Sequence, residues 1–582
     1  MQDLLRRVWC FIFLFALFSA VTAAEESDRR TAELLLLNGH VYTSNPARPW
    51  AKALAIHNGR IVAVGDDAEI VKLQGLATRV IKLDGRMVMP GIIDSHIHFL
   101  DGSFSLDQLN LDDAYMAVEI QRRLREFAGS HPDRAWLLAR GWLYDAFKPS
   151  GLPTKQILDE IVPDRPVVLE CYDGHSVWVN SKALALAGIS NDTPDPQQAG
   201  IMVGTIVRDP ASGEATGVLK EEAVALVRKV IPQPSHDEKL RALRAGLREA
   251  NKHGLTSVLN ASGSIEEMEL YAELRRKGEL TVRTITALMM EPQLDEKTLA
   301  QYEEGRRRFH DEWVRGGVIK AFMDGVIESH TAAMIEPYSD DPKLTGSMNY
   351  SPEQFRANVL ELDRRQFQVI THAIGDRAIR TTLDAYQAAQ QSYGPRDRRF
   401  RIEHIENINP LDIPRFGRLG VIASMEPFHC YPEPNLANVW ARNVGPERLP
   451  YSFAWHSIAA GGAKLAFGSD WPVVSLDPFI GIQNAVTRQN WSGEPAEGFV
   501  GAEKVTLDQA LAAYTRDAAY AQFEDKLKGS IEPGKLADII VLSQDLFTVK
   551  PLEIRKTTPV LTIVGGKIVY DDKSVNAASV AP

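Results

Sequence analysis

The sequence predicts an α/β fold: a TIM-type (β/α)8 barrel with a large insertion after its first strand, plus a small β-sandwich built from both chain ends. Three observations carry this reading. Eight apolar runs of strand length recur, separated by helical patterns, which is the signature of such a barrel. One interval, residues 100–230, is far too long for a barrel loop and reads as an insertion beyond the catalytic rim. Short apolar runs hinged on Asn-Gly, Asp-Gly or Gly-Gly stand at both ends of the chain.

The elements follow in order. Residues 1–24 read as a secretory signal: Arg6 and Arg7 precede an apolar stretch over 8–21, then Thr22, Ala23 and Ala24. The stretch is short for a membrane span, so cleavage after Ala23 or Ala24 is expected, with a secreted or periplasmic product and no membrane anchor afterwards. Residues 25–86 form the first half of the sandwich, with strand pairs over 33–43 and 51–65 turning at Asn38-Gly39 and Asn58-Gly59, and a further strand over 80–83. The barrel is expected over 87–525, its strands at 89–98, 255–259, 282–289, 318–323, 368–374, 400–405, 421–425 and 463–467. Helices are expected between them, for example over 237–253 and 352–365, and a last one over 508–523. Residues 526–582 complete the sandwich, with a Gly-Gly hairpin over 560–570.

Of the 582 residues 45% are hydrophobic and 24% charged, an ordinary globular composition. A net charge of −11 and the absence of any Lys/Arg-rich block argue against nucleic acid as a partner. Cys10 lies in the signal; Cys171 and Cys430 read as buried free thiols without assigned function.

Barrel enzymes carry their chemistry at the C-terminal ends of the strands. The first run ends in His96 and His98, which at i and i+2 on a strand face one side, with Asp94 one step deeper. The fourth carries Lys320, the fifth His372, the sixth His404 and the eighth Asp470. Singly, each has a plain reading: a strand-end histidine is often hydrogen-bonded filler, and an Asp after Gly-Ser often caps a helix. A lysine inside an apolar strand is costly without a partner. Filler does not account for five strands ending alike, so the series reads as a site for a divalent metal.

The runs MPGIIDSHIH, YDGHSVWVNSKAL, GVIKAFMDG, THAIGDRAI, RIEHIE, FGSDWPV, AVTR and GSIEPGKLADIIVL occur in this order over about residues 33–570. They resemble the amidohydrolase superfamily, in particular its amidohydrolase-3 branch, which includes N-substituted formamide deformylases. The resemblance implies that His96 and His98 bind one ion with Asp470, that His372 and His404 bind a second, and that Lys320 bridges them as a carbamate. Zinc is the metal implied, as one or two ions per chain. His175, in the insertion, would reach over the site to substrate, with Glu221 and Arg377 as supporting residues.

Two positions depart from the branch: Glu426 stands where it usually has Gln, and Asn260 where it usually has Asp. A formamide substrate is therefore not assumed. The expected function is metal-dependent hydrolysis of carbon–nitrogen bonds other than ordinary peptide bonds. A metal-activated water would attack, Asp470 would move the proton, and His175 would donate to the oxyanion. Ester or lactone hydrolysis, or a non-catalytic binding relative, are the alternatives. The expected partner is a small-molecule substrate; homo-oligomerisation stays open.

Overall fold

The structure is a computed structural model that describes residues 31–148, 151–196 and 204–574. The expected signal segment lies outside them. Two compact units emerge, one drawn from Met1–Gly91, Lys526–Asp545 and Pro559–Pro582, the other from Ile92–Asp525 and Leu546–Thr558.

The first unit holds two sheets. A four-stranded sheet has the order Arg60–Gly65, Ala53–His57, Ala32–Leu37, Gln74–Lys82. A six-stranded sheet has the order Lys567–Asp571, Pro559–Val564, Ile539–Leu542, Met87–Pro90, His40–Tyr42, Trp50–Ala51, so both ends of the chain contribute to it. Leu34, Leu54 and Ile56 of the smaller sheet share one apolar cluster with Val88, Ile539 and Leu561 of the larger.

Asn58-Gly59 and Gly565-Gly566 close true hairpins, pairing His57 with Arg60 and Val564 with Lys567. All four turn residues have positive φ, as such two-residue turns demand. The expected strand pair at Asn38-Gly39 is different. Ala32–Leu37 pairs in the smaller sheet and His40–Tyr42 in the larger, so this turn passes the chain from sheet to sheet. Asn38, at φ 54, supplies the left-handed step that either path needs.

The second unit is built on eight parallel strands in sequence order: Ile92–Ile97, Leu255–Gly263, Arg283–Met289, Val314–Phe322, Gln368–Ala373, Arg401–His404, Ile422–Met425 and Leu465–Phe467. All eight expected strands are present, with one division. The apolar run over 87–93 is not a single strand, because Met87–Pro90 belongs to the first unit and the barrel strand begins at Ile92. The last and first strands meet through the loop after the eighth strand. There the Asp470 amide donates to the His96 carbonyl at 2.7 Å, and the Ser469 amide to Asp94 Oδ1 at 3.0 Å.

Between the first two barrel strands lies a mixed six-stranded sheet, ordered Thr205–Arg208, Ala215–Lys220, Ser176–Val179, Val167–Cys171, Leu137–Trp142, Leu109–Asn110. Its two sides pack separate cores, one around Trp142, Leu169 and Trp178, the other around Val177, Val179 and Leu219. The helix expected over 508–523 is two helices, Leu507–Ala513 and Arg516–Ala521. The break leaves the Tyr514 carbonyl free to accept the Ile93 amide of the first barrel strand at 2.9 Å. Among the described residues no helix is long and apolar enough to cross a membrane.

Candidate metal centre

Four strand ends aim their polar side chains at one point. Nε2 of His98 lies 3.0 Å and Nε2 of His96 3.5 Å from Oδ1 of Asp470. His96, His404 and Asp470 each place one donor atom within 4.8 Å of the other two. His404 and Asp470 both have positive φ, 72 and 58, at the ends of their strands. Such backbone is sparsely populated and is kept where a side chain must be turned into a site.

Lys320 is fully buried, its Nζ 3.5 Å from His96 Nε2 and 4.7 Å from the centre of the Phe322 ring. His372 packs against His404, ring centres 4.6 Å apart, but its Nε2 is turned to the Gly325 carbonyl at 3.1 Å. Coordination by His372 would therefore fall to Nδ1.

Behind these rings stand carboxylates that orient them. Nδ1 of His96 bonds Glu403 at 2.6 Å, and Nδ1 of His404 bonds Glu426 at 2.8 Å. A histidine tied at Nδ1 presents Nε2 to a metal in fixed orientation and with raised basicity. Glu403 is itself gripped by Arg401, which reaches Oε1 at 2.9 Å and Oε2 at 2.7 Å. Nδ1 of His98 bonds the Ser262 hydroxyl at 2.8 Å.

The electrostatics suit cation binding. Burial holds His96 and His372 well below the usual imidazole range and His404 down to about 3, so the rings are neutral donors. Burial brings Lys320 down to about 8, against the opposing pull of Glu403, Asp470 and Glu426. Burial alone would raise Asp470; the facing His98, His404 and His429 more than reverse it, and the carboxylate stays ionised.

A cavity of about 710 Å³ opens over this centre, its wall including His96, His98, His404 and Asp470. His175 also lines it, set in the loop before the inserted strand Ser176–Val179, its ring centre 5.6 Å from that of His372. Nδ1 of His175 bonds Glu221 at 2.9 Å, which leaves Nε2 as the free nitrogen. Burial lowers the ring's pKa, but the Glu221 carboxylate outweighs it and lifts His175 to about 9. Glu221 thus positions His175, whereas Arg377 donates to the Gly346 carbonyl at 3.3 Å and supports the loop there.

One residue of this candidate centre escaped the sequence reading. His429, in the turn Pro427–Cys430 after the seventh strand, stacks on His404 with ring centres 5.9 Å apart. Its Nε2 stands 3.6 Å from Asp470 Oδ2. The signal was present in SMEPFH, a histidine three places after the strand-end Glu426.

The donor set fits a divalent cation. Asp470 Oδ1 and His429 Nε2, both of residues on the cavity wall, are buried without a hydrogen bond, an expensive state for polar atoms unless a ligand completes them. The neutral imidazoles of His96, His372 and His404 with an ionised carboxylate are the donors that borderline metals such as zinc prefer. At His429, by contrast, Glu406, Asp470 and Glu426 outweigh burial, lift the ring to about 9 and keep it protonated beside them.

Both departures from the branch pattern have structural partners. Glu426 faces the backs of His404 and His96, lying 3.7 Å from the Nδ1 of the latter, and is not part of the cavity wall. Asn260 accepts the Phe99 amide at 2.9 Å and donates to Glu267 at 3.0 Å. An aspartate there would set a second carboxylate against Glu267.

The chain is 34% identical over 554 residues to Protein LONG AFTER FAR-RED 3 of Arabidopsis thaliana, covering 93% of this chain and 92% of that protein. It is 26% identical over 548 residues to the N-substituted formamide deformylase of Arthrobacter pascens, 93% of this chain and 98% of that one. The crystal structure of an uncharacterized metal-dependent hydrolase from Pyrococcus horikoshii superposes with a TM-score of 0.70 at 25% identity, over 89% of this chain and 99% of that chain. The sequence pattern of the amidohydrolase family matches residues 79–570, a span that takes in all the strand ends converging on Asp470. The chain belongs to the amidohydrolase family and is a hydrolase.

Proposed function

We propose that this hydrolase cleaves carbon–nitrogen bonds of small molecules, in amides, formamides or cyclic amides outside ordinary peptides, with a divalent metal, zinc in the first instance, as one or two ions. The observation that supports it most is the ionised carboxylate of Asp470 on the cavity wall, its Oδ1 3.0 Å from His98 Nε2 and 3.5 Å from His96 Nε2. His96, His98, His404 and Asp470 would hold the metal, with His372 offering Nδ1 and Lys320, as a carbamate, bridging if two ions bind. A cation so held supplies Lewis acidity, which polarises a carbonyl and brings the pKa of water toward neutrality.

The residues of the chain do the rest. Asp470 accepts the proton of the attacking water and returns it to the departing nitrogen, which is a poor leaving group as an anion. His175, held by Glu221, donates from Nε2 to the carbonyl oxygen as negative charge develops. Glu403 and Glu426 keep the imidazoles of His96 and His404 in place through the cycle.

A panel of N-acyl, formamide, cyclic amide and ester compounds, run against metal-loaded enzyme with metal analysis alongside, tests the reading. Turnover of C–N substrates that is lost on chelation is expected. Turnover of esters or lactones alone would replace it with the ester reading.

A further inference from the structure

On the cavity wall beyond His429, a set of acceptors waits for a donor. Asn435 is 1% exposed and lines the cavity, yet its Oδ1 has no hydrogen-bond partner. The orientation of its amide follows from proton counting. With Glu328 as the acceptor of the Tyr172 hydroxyl proton, the 2.9 Å contact from Asn435 to that hydroxyl is a donation from Nδ2. Oδ1 is then left as an acceptor with nothing to accept. Glu328 lines the same wall, with Tyr172 as the partner of its Oε1.

Glu406 is next to it. Its Oε2 takes the Trp440 indole N–H at 2.7 Å, and its Oε1 lies 3.7 Å from His429 Nδ1. Among the described residues no ion pair joins Glu328 to a lysine, arginine or histidine within 4 Å. Burial pushes Glu328 up to about 8, with the Glu406 charge adding to it, so near neutral pH the group keeps a proton that a bound cation would displace. Tyr172, Trp440 and Phe428 also line the cavity, an aromatic setting compatible with a planar cation.

We propose that this wall, formed by Glu328, Asn435 and Tyr172, is a subsite for a cationic nitrogen group of the substrate, an ammonium, amidinium or guanidinium remote from the scissile bond. The proposal deepens the reading of the cavity as a substrate site and names the charge class of what enters it. A planar cation brings several N–H donors at once, enough for the Glu328 carboxylate and Asn435 Oδ1 together. Glu406 beside it is already engaged by the Trp440 indole and His429, which leaves Glu328 as the carboxylate that meets the cation. The substrate then lies with its cation on this wall and its carbonyl toward Asp470, His429 standing between the two.

The test reads binding and needs no turnover, so it stands whichever bond the enzyme breaks. Benzamidine and acetophenone are matched in shape, and the amidinium carries no free lone pair for the metal. Titration calorimetry on the metal-loaded, full-length enzyme should show benzamidine binding at least about tenfold tighter than acetophenone, the usual worth of a charge-assisted hydrogen bond. That preference should fall by about tenfold in Glu328→Gln. Tyr172→Phe, which removes the hydroxyl bridge and keeps the ring, should also reduce it, and serves alone if the first variant misfolds. Equal binding of the two probes, or a preference that neither substitution changes, overturns the proposal. Loss of the amide reading in the panel above, with the benzamidine preference intact, would leave this subsite standing.

Discussion

Nε2 of His429 stands 3.6 Å from Oδ2 of Asp470, while Oδ1 of the same carboxylate faces His98 at 3.0 Å. Asp470 is thus held between two imidazoles and can serve one face to a metal and the other to a proton. Asp470→Asn keeps one oxygen donor and the size but cannot act as a base. It should lower kcat by about 10²–10⁴-fold with much of the metal retained. His96→Asn should lose metal first. Metal analysis beside kinetics on both purified variants separates the two roles, and near-normal turnover of Asp470→Asn would refute the mechanism.

His175 lines the cavity beside His372 and stands outside the cluster of His96, His404 and Asp470. His175→Ala should depress turnover by about 10²-fold, the scale of one lost oxyanion donor, with metal content unchanged. Glu221→Gln should act in the same direction and more weakly, because the ring keeps a hydrogen bond but loses its charge partner. Unaltered turnover in His175→Ala would assign the residue to structure alone.

Glu426 departs from the branch pattern, and it stands behind the metal-facing rings, outside the cavity wall. Because it orients His404 from behind, Glu426→Gln should weaken metal retention by about 10–100-fold. Substrate preference should move little. Dialysis against a graded chelator, followed by metal analysis, checks this.

Asn260→Asp restores the residue usual in the branch and should nevertheless destabilise the protein. Glu267 is raised by burial from 4.5 to about 8, so the folded state holds a proton there that the unfolded chain releases. Stability from that proton is full at low pH and is lost as pH rises through the window between those values. A second carboxylate at 260 would enlarge the loss by about 1–3 kcal/mol, most at the alkaline end. Thermal melts on both sides of the window measure it.

The Arg6-Arg7 segment and its apolar run predict export. N-terminal sequencing of secreted or periplasmic protein should begin at Ala24 or Glu25. Retention of Met1 would identify an anchor instead.

The eight barrel strands were legible because strands covered on both faces are apolar throughout, and their ends stood out as the places where polar residues begin. What stayed hidden depended on partners distant in the chain. The helix break at Tyr514 exists to serve the Ile93 amide, and no local pattern around 514 announces that. Strand alternation puts Glu403 and His404 on opposite faces, which concealed Glu403 as the anchor of His96. The left-handed backbone at His404 is what turns its ring into the same site. His429 was missed because it lies past a strand end, where a short turn carries it back over the ring of His404.

At the seam between the last and first barrel strands, a Cβ on Gly468 would fall 2.5 Å from the His96 amide nitrogen. The backbones touch there, and Asp470 reaches His98 only because they do. The ligands on the two sides of that seam are nearly the whole length of the barrel apart in sequence. A chain still being synthesised, holding His96 and His98 but not yet Asp470, therefore has imidazoles and no carboxylate. On the proposed ligand set, completion of the barrel and acquisition of full metal affinity would be one event, and a bound ion would clasp the ring shut.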